Sequence, residues 1–349
     1  MIVETNIEPL MIRMDGTIRG ALERMNATPH LIQIVVDDDK KVCGVVTDGD
    51  VRRALVNGVG LDNPVQDCMH RNPLTVDSIE AAIALLPDMD GRHPCIPVIN
   101  SEGLLTHLVS VSSKTSGLET ALVMAGGLGK RLGEHTRHKP KPLVEVGGHP
   151  ILWHILKDLQ THGIKRVFIS TYHLAEQISA FIDGSDFNLQ IDTLSESTPL
   201  GMAGALGMIP PEIDGPLLIM NGDIVTRVNY AAMMTYHQIK NRDATIGASR
   251  FDQEVPFGVL NVDAEGDVVK IQEKPRYEYV VSAGIYIIQP TIYRSVKADT
   301  KIDMPNLLRA SIKRNLRIGL FPIHEYWLDL GRPNDLELAE AELAQWQRS

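Results

Sequence analysis

An apolar run that ends in three closely spaced glycines constrains this chain more than any other feature. Thr120-Ala121-Leu122-Val123-Met124 reads as a buried strand, and Ala125-Gly126-Gly127-Leu128-Gly129-Lys130-Arg131-Leu132 follows as a glycine loop. A strand feeding such a loop predicts an α/β fold, in which ligands sit beyond the carboxyl ends of the strands. Without a Cβ, the glycines let backbone N–H groups come close to a polyphosphate. The spacing is not G-x-x-x-x-G-K-[ST], because Arg131 follows Gly129-Lys130. It is not G-x-G-x-x-G either, because Leu132 takes the last place. Two features sharpen the loop. Arg131 offers a fork of donors to phosphate oxygens, and Lys139-Pro140-Lys141-Pro142 holds the chain extended so that the Lys141 ammonium has a fixed direction.

Five more segments follow at separations that suit alternating strands and helices. Glu196 to Leu206 is a loop of small residues, including Gly201 and Gly204, through which a flat base could reach the backbone. Leu217-Leu218-Ile219-Met220-Asn221-Gly222-Asp223 is a buried strand that delivers an Asp at its carboxyl end. Gln272-Glu273-Lys274-Pro275 ends another strand with an acid beside a base. Val281-Ser282-Ala283-Gly284-Ile285-Tyr286 opens a strand with small residues at its mouth. Trp327-Leu328-Asp329-Leu330-Gly331 brings a second Asp before the last helix. The histidines show no H-E-x-x-H spacing and read as surface or packing residues.

Residues 1–116 form a different region, with a weak repeat of about 60 residues. Thr17 to Met25 has helical spacing, Leu31 to Val36 and Val42 to Val46 read as strands around Asp37-Asp38-Asp39-Lys40, and Asp48 to Val56 as a helix. The second copy has a helix at Ile79–Leu86, a strand at Cys95–Ile99, a turn at Asn100-Ser101-Glu102-Gly103 and a strand at Leu104–Val111. Units of this size cannot each bury a full core, so they are expected to pack on each other. Ser112 to Gly117 is small and polar and reads as a linker. The net charge of -10 argues against a nucleic-acid polymer as partner. No apolar run is long enough for a membrane span, and Met1-Ile2-Val3-Glu4 lacks the features of a signal peptide. Cys43, Cys68 and Cys95 are far apart and form no CxxC, which suits a reducing, cytoplasmic location.

The N-terminal region resembles a tandem pair of CBS domains, on Gly44-Val45-Val46-Thr47-Asp48-Gly49-Asp50-Val51-Arg52-Arg53. The resemblance implies a site for an adenine nucleotide contacted by Thr47 and Asp50, and a regulatory or oligomerising module in a homo-oligomer. The competing role for these two side chains is to cap the following helix. The second copy has Ser110 with no Asp after it, so at most one site is expected.

The six ordered segments of residues 119–349 resemble the sugar-1-phosphate nucleotidyltransferase, or NDP-sugar pyrophosphorylase, family. That implies an α/β, Rossmann-like domain with a mixed, mostly parallel sheet behind an α+β CBS module. It also implies attack by a sugar-1-phosphate on the α-phosphorus of an NTP, with Mg²⁺ as cofactor. By this resemblance Arg131, Lys141 and Lys274 are catalytic, and Ala125, Gly126, Gly127, Gly129, Gly201 and Gly204 contact the nucleotide. Glu273, Ser282 and Gly284 contact the sugar, and Asp223 and Asp329 hold the metal. The family usually carries Asn where Ser282 stands, so the sugar is left open. The arrangement is similar to bacterial guanylyltransferases of legionaminic acid biosynthesis, which implies GTP and glucosamine-1-phosphate or a related hexose phosphate. Thymine, uracil or cytosine nucleotides and mannose-1-phosphate are the alternatives within this reaction, and a non-catalytic nucleotide or NDP-sugar sensor signalling through the CBS pair is the alternative to it.

Overall fold

A computed structural model describes residues 2–28, 30–86, 95–110, 117–127 and 129–346. It divides into two compact units. One is Met1–Glu119 with Asn229–Arg242, and the other is Thr120–Val228 with Asp243–Ser349. Residues 111–116, most of the expected linker, lie outside the described residues.

The first unit contains β1 (Ile2–Glu4), β2 (Met11–Arg13), α1 (Ile18–Asn26), β3 (Ile32–Val36), β4 (Val42–Thr47), α2 (Asp48–Val56), β5 (His70–Arg71), α3 (Ile79–Leu85), β6 (Cys95–Ile99) and β7 (Leu105–Ser110). The repeat is visible in its hydrogen bonds. β3–β4 and β6–β7 are antiparallel hairpins. In the first turn Asp37 Oδ1 accepts from the N–H groups of Asp39 and Lys41; in the second Asn100 Oδ1 accepts from those of Glu102 and Leu104. Each is an Asx turn, the reason Asp and Asn recur there. The helices α1 and α3 are capped alike, by Thr17 and Ser78. The strands form two sheets, β2-β3-β4-β5 and β1-β7-β6. Leu10, Ile32, Ile34, Leu105 and Leu108, drawn from both halves, make one buried cluster. β1, first in sequence, pairs with β7 and so belongs to the second half's sheet.

Helix α2 shows what Thr47 and Asp50 do. Thr47 caps the helix and forms a capping box with Asp50, the two side chains 2.6 Å apart, and Arg53 pairs with the Asp50 carboxylate. Both side chains are engaged in helix capping. Beside them Arg52 is fully buried, and its guanidinium bonds both oxygens of Asp48, at 2.7 and 2.8 Å. The three cysteines are free thiols. Burial pushes Cys95 up to about 12 and Cys68 up to about 11, so both stay protonated near neutral pH.

The second unit begins with β8 (Thr120–Met124) and continues through β9 (Glu145–Val146), β10 (His149–Pro150), α4 (Ile151–Thr161), β11 (Arg166–Thr171), α5 (Ala175–Asp183), β12 (Gln190–Ser195), β13 (Leu217–Asn221) and β14 (Ile224–Thr226). Helix α6 (Tyr230–Ile239) groups with the first unit. The remaining elements are β15 (Ala244–Glu254), β16 (Val259–Val262), β17 (Val268–Gln272), β18 (Arg276–Ile288), α7 (Pro290–Tyr293), α8 (Met304–Lys313), β19 (Ile318–Pro322), β20 (Trp327–Asp329) and α9 (Pro333–Trp346).

The main sheet has the order β12-β11-β8-β13-β18-β15-β19. β12, β11, β8 and β13 run parallel, β18 is antiparallel to β13 and β15, and β19 returns parallel to β15. The sheet is therefore mixed and mostly parallel, as the sequence implies. β8 is an interior strand and its Ala121, Leu122 and Val123 are fully buried, which explains an apolar run without alternation. Helix α4 puts Ile151, Ile155 and Leu159 on one buried face. From β8 the chain moves to β11 on one side and later to β13 on the other. The carboxyl ends of β8 and β13 thus flank the point where strand order reverses, where open α/β sheets bind ligands.

Candidate active site

The glycine loop leaves β8 at this switch point. Gly129 takes a left-handed conformation with φ of 62°, and a Cβ there would lie 3.0 Å from Thr136 and 3.2 Å from Lys141. Buried Thr136 closes the loop, its hydroxyl donating to the Gly129 carbonyl at 2.9 Å. Gly127 has open space where a side chain would be, and Gly126 faces Glu196, 3.4 Å from Oε1. The backbone of Arg131 lies in a 3₁₀ segment, Lys130–Thr136; its side chain is outside the described residues.

Lys141, which the flanking prolines predict to lie in extended chain, sits instead in a short 3₁₀ turn; Pro140 is the extended residue before it and Pro142 lies within the turn. Only 8% of the residue is exposed. Its ammonium pairs with the Asp223 carboxylate and lies 3.9 Å from Asp329 Oδ1. The carboxylates meet because β14, just after Asp223, pairs antiparallel with β20, Ile224 standing opposite Asp329. The Leu330 N–H also donates to the Asp223 carbonyl at 2.9 Å. Gly222 allows the approach to β8, since a Cβ there would be 2.7 Å from the Met124 carbonyl oxygen.

Among the buried oxygens at this mouth, Asp223 Oδ1 and Asn221 Oδ1 have no hydrogen-bond partner. An unpaired buried carboxylate oxygen is costly, and a hard divalent cation would relieve it. Among the described residues no group of three or more His, Cys, Asp or Glu forms a closed metal site. Asp223 and Asp329 therefore fit a cation that takes few protein oxygens and completes its shell with phosphates and water.

The other expected residues are placed differently. Ser282 and Gly284 lie within the 13-residue β18, not at a strand mouth. The register against β15 shifts there, between Ile246 and Ala248, and Gly284 takes φ of 70°. This bulge turns a strand interior toward the site. Ser282 Oγ and the phenol of Tyr286 share a 2.9 Å hydrogen bond, and burial raises the Tyr286 pKa while Ser282 lowers it. The Trp327 indole N–H donates to the Ala283 carbonyl at 2.8 Å, tying β20 to the bulge. Glu273 and Lys274 directly follow the end of β17, as expected, and are exposed in the turn before β18, with Lys274 at φ of 42°. Among the described residues neither hydrogen-bonds to Lys141, Asp223 or Asp329.

Gly201 and Gly204 have a packing reason to be small. A Cβ on Gly201 would lie 2.8 Å from the Ile302 carbonyl oxygen, and one on Gly204 2.7 Å from that of Thr300. The loop is fastened there by Ala203 N–H to Ile302 O, at 3.0 Å, and Ile302 N–H to Leu200 O, at 2.8 Å.

Sequence reasoning missed Thr136, Asn221 and Trp327. Asn221 directly precedes Gly222-Asp223 and was readable as a strand residue only. Its importance shows in the bulge, where a Cβ on Gly284 would lie 2.5 Å from Asn221 Nδ2 and 2.9 Å from Ile224. We expect Gly284→Ala to lose about 1–3 kcal/mol of stability through positive φ and this clash. Urea unfolding followed by circular dichroism checks it; an unchanged midpoint would show that the bulge relaxes freely.

A glycine loop at a switch point, facing a buried lysine and paired carboxylates, defines an α/β protein built to handle phosphates. Residues 120–345 match the sequence model of the family described as nucleotidyl transferase, and the chain belongs to that family. Residues 3–57 match the CBS domain. The mannose-1-phosphate guanylyltransferase of Mycobacterium tuberculosis is 27% identical over 231 residues, 64% of each chain. Mannose-1-phosphate guanylyltransferase 1 of Arabidopsis thaliana is 29% identical over 226 residues, 62% of each. The chain spans about three fifths of the length of these curated relatives. Among solved structures, HddC from Yersinia pseudotuberculosis is similar at 25% identity and a TM-score of 0.52, over 65% of this chain and all of that one. No helix among the described residues is long and apolar enough to cross a membrane.

Proposed function

We propose that residues 119–349 transfer a guanylyl group from GTP to a hexose-1-phosphate, releasing pyrophosphate. The observation that carries this reading is the Lys141 ammonium set between Asp223 and Asp329 at the mouth of the glycine loop. A phosphate oxygen of the sugar-1-phosphate attacks the α-phosphorus. The bond from that phosphorus to the oxygen bridging to the β-phosphate breaks, and its electron pair leaves with pyrophosphate. Two polyanions must meet, so catalysis consists of positioning and charge neutralisation.

In this reading the backbone at Ala125, Gly126, Gly127 and Gly129 receives the nucleotide, with Gly201 and Gly204 shaping the base side. Arg131 holds the triphosphate. Lys141 neutralises charge at the reacting phosphates. Lys274 and Glu273, on their exposed turn, take the sugar phosphate and sugar hydroxyls, and Ser282 and Gly284 border the sugar. Asp223 and Asp329 would hold Mg²⁺, which when bound supplies charge to the phosphates.

Guanine is favoured by the names of the relatives, and mannose-1-phosphate by the same names. Glucosamine-1-phosphate is the competing acceptor from the resemblance read in the sequence. Residues 1–116 would be the regulatory or oligomerising module, with an adenine nucleotide as its ligand class. Incubation with GTP, dTTP, UTP or CTP against both sugar phosphates, read as pyrophosphate release, tests the proposal. We expect release with GTP; a complete matrix without release would refute it.

A further inference from the structure

Lys141 and its two carboxylates carry a consequence for the order of ligand binding. The lysine comes from the turn after the glycine loop, and the carboxylates from the β14–β20 pair. Its side chain is nine-tenths buried and that of Asp223 four-fifths. The ammonium bonds Asp223 and stands 3.9 Å from Asp329 Oδ1, so it lies where an ion bridging the two carboxylates would be. A monovalent and a divalent cation repel each other strongly at such distances in a partly buried site. Both cannot sit between the same two acids.

We infer that the Lys141 ammonium is an exchangeable placeholder for the divalent cation: it holds the carboxylates together until triphosphate draws it away and opens the position. The inference rests on the reading that Asp223 and Asp329 are cation ligands. Two consequences follow. The cation alone binds weakly, because it must first displace the ammonium. Nucleotide strengthens cation binding both by lending phosphate oxygens and by removing Lys141 from the carboxylates, so the two ligands bind cooperatively. The placeholder also keeps the acids paired, so that two neighbouring negative charges do not face each other unneutralised.

The test is equilibrium binding of Mn²⁺, followed by electron paramagnetic resonance, to the full chain without nucleotide. Lys141→Met removes the competing charge. Lys141→Gln also removes it and keeps a donor toward Asp223, which guards against loss of fold; circular dichroism confirms folding of each. Both variants should bind Mn²⁺ roughly tenfold or more tightly than the wild type. Adding a non-hydrolysable GTP analogue should tighten Mn²⁺ binding more in the wild type than in the variants. Equal or weaker Mn²⁺ binding by both variants would overturn the placeholder. If Asp223→Asn in the Lys141→Gln background leaves Mn²⁺ binding unchanged, the cation is not at this pair, and the assignment of the carboxylates falls along with the inference. If the wild type binds Mn²⁺ with the analogue through Asp223 but the variants gain nothing, only the placeholder fails.

Discussion

Asp223→Asn should lower pyrophosphate release by about a thousandfold or more while leaving the fold intact, the size of loss typical for removing a preorganised charge from a transfer site. The substitution keeps the shape of the side chain but removes its charge. Three relationships depend on that charge: the ion pair with Lys141, the shared position with Asp329, and the buried oxygen that lacks a hydrogen-bond partner. The backbone contact through which Asp223 accepts from Leu330 remains, so β14 and β20 stay paired. Steady-state kinetics at saturating Mg²⁺, with circular dichroism as the fold control, measure the loss. Activity within tenfold of the wild type would remove Asp223 from the chemistry.

The second large effect is on stability and lies in the first unit. Arg52 has no exposed surface, and Asp48 beside it is 7% exposed. Arg52→Met fills a similar volume but leaves the Asp48 carboxylate without the guanidinium. Removing one partner of a buried pair costs about 3–5 kcal/mol, because the remaining charge is stranded. For a unit of this size that is a fall in Tm of roughly 12 °C or more. The double replacement Arg52→Met with Asp48→Leu should recover much of the loss, since it is the stranded charge that costs. Calorimetry of the three variants decides the matter. A single variant as stable as the wild type would mean that Asp48 finds water or another donor.

Much of the fold was legible because it rests on local rules. The Thr120–Met124 run, apolar after its first residue and without alternation, reads as a strand covered on both faces, and it is an interior strand of the sheet. The turns at Asp37 and Asn100 were legible between their strands as parts of the repeat, and Asx bonds are what hold them. The site was partly legible. Asp223 was placed by the end of its strand and Lys141 by its flanking prolines. What joins them, the antiparallel β14–β20 pair, brings together segments a hundred residues apart, and no local pattern encodes it. The bulge at Ser282–Gly284 was unreadable for a similar reason. A glycine at φ of 70° in the middle of a long strand looks, in sequence, like a strand that begins there. Gly201 and Gly204 were read as room for a base, but the residues that need them small, Thr300 and Ile302, lie far along the chain. Thr47 and Asp50 carried two readings at once, since a hydroxyl and a carboxylate three residues apart suit either a ligand or a helix start.

The pairing of β1 with β7 also dictates when the β1-β7-β6 sheet can be finished. Val3 lies opposite Val109, so β1 waits for about a hundred residues of synthesis before its hydrogen-bonding edge exists. The half built on β2 and the β3–β4 hairpin can form meanwhile, from contacts close in sequence. An N-terminal extension or a disrupted Val3 would thus act late in maturation, slowing the closing of the β1-β7-β6 sheet more than the folding of the half to which those residues are covalently nearest.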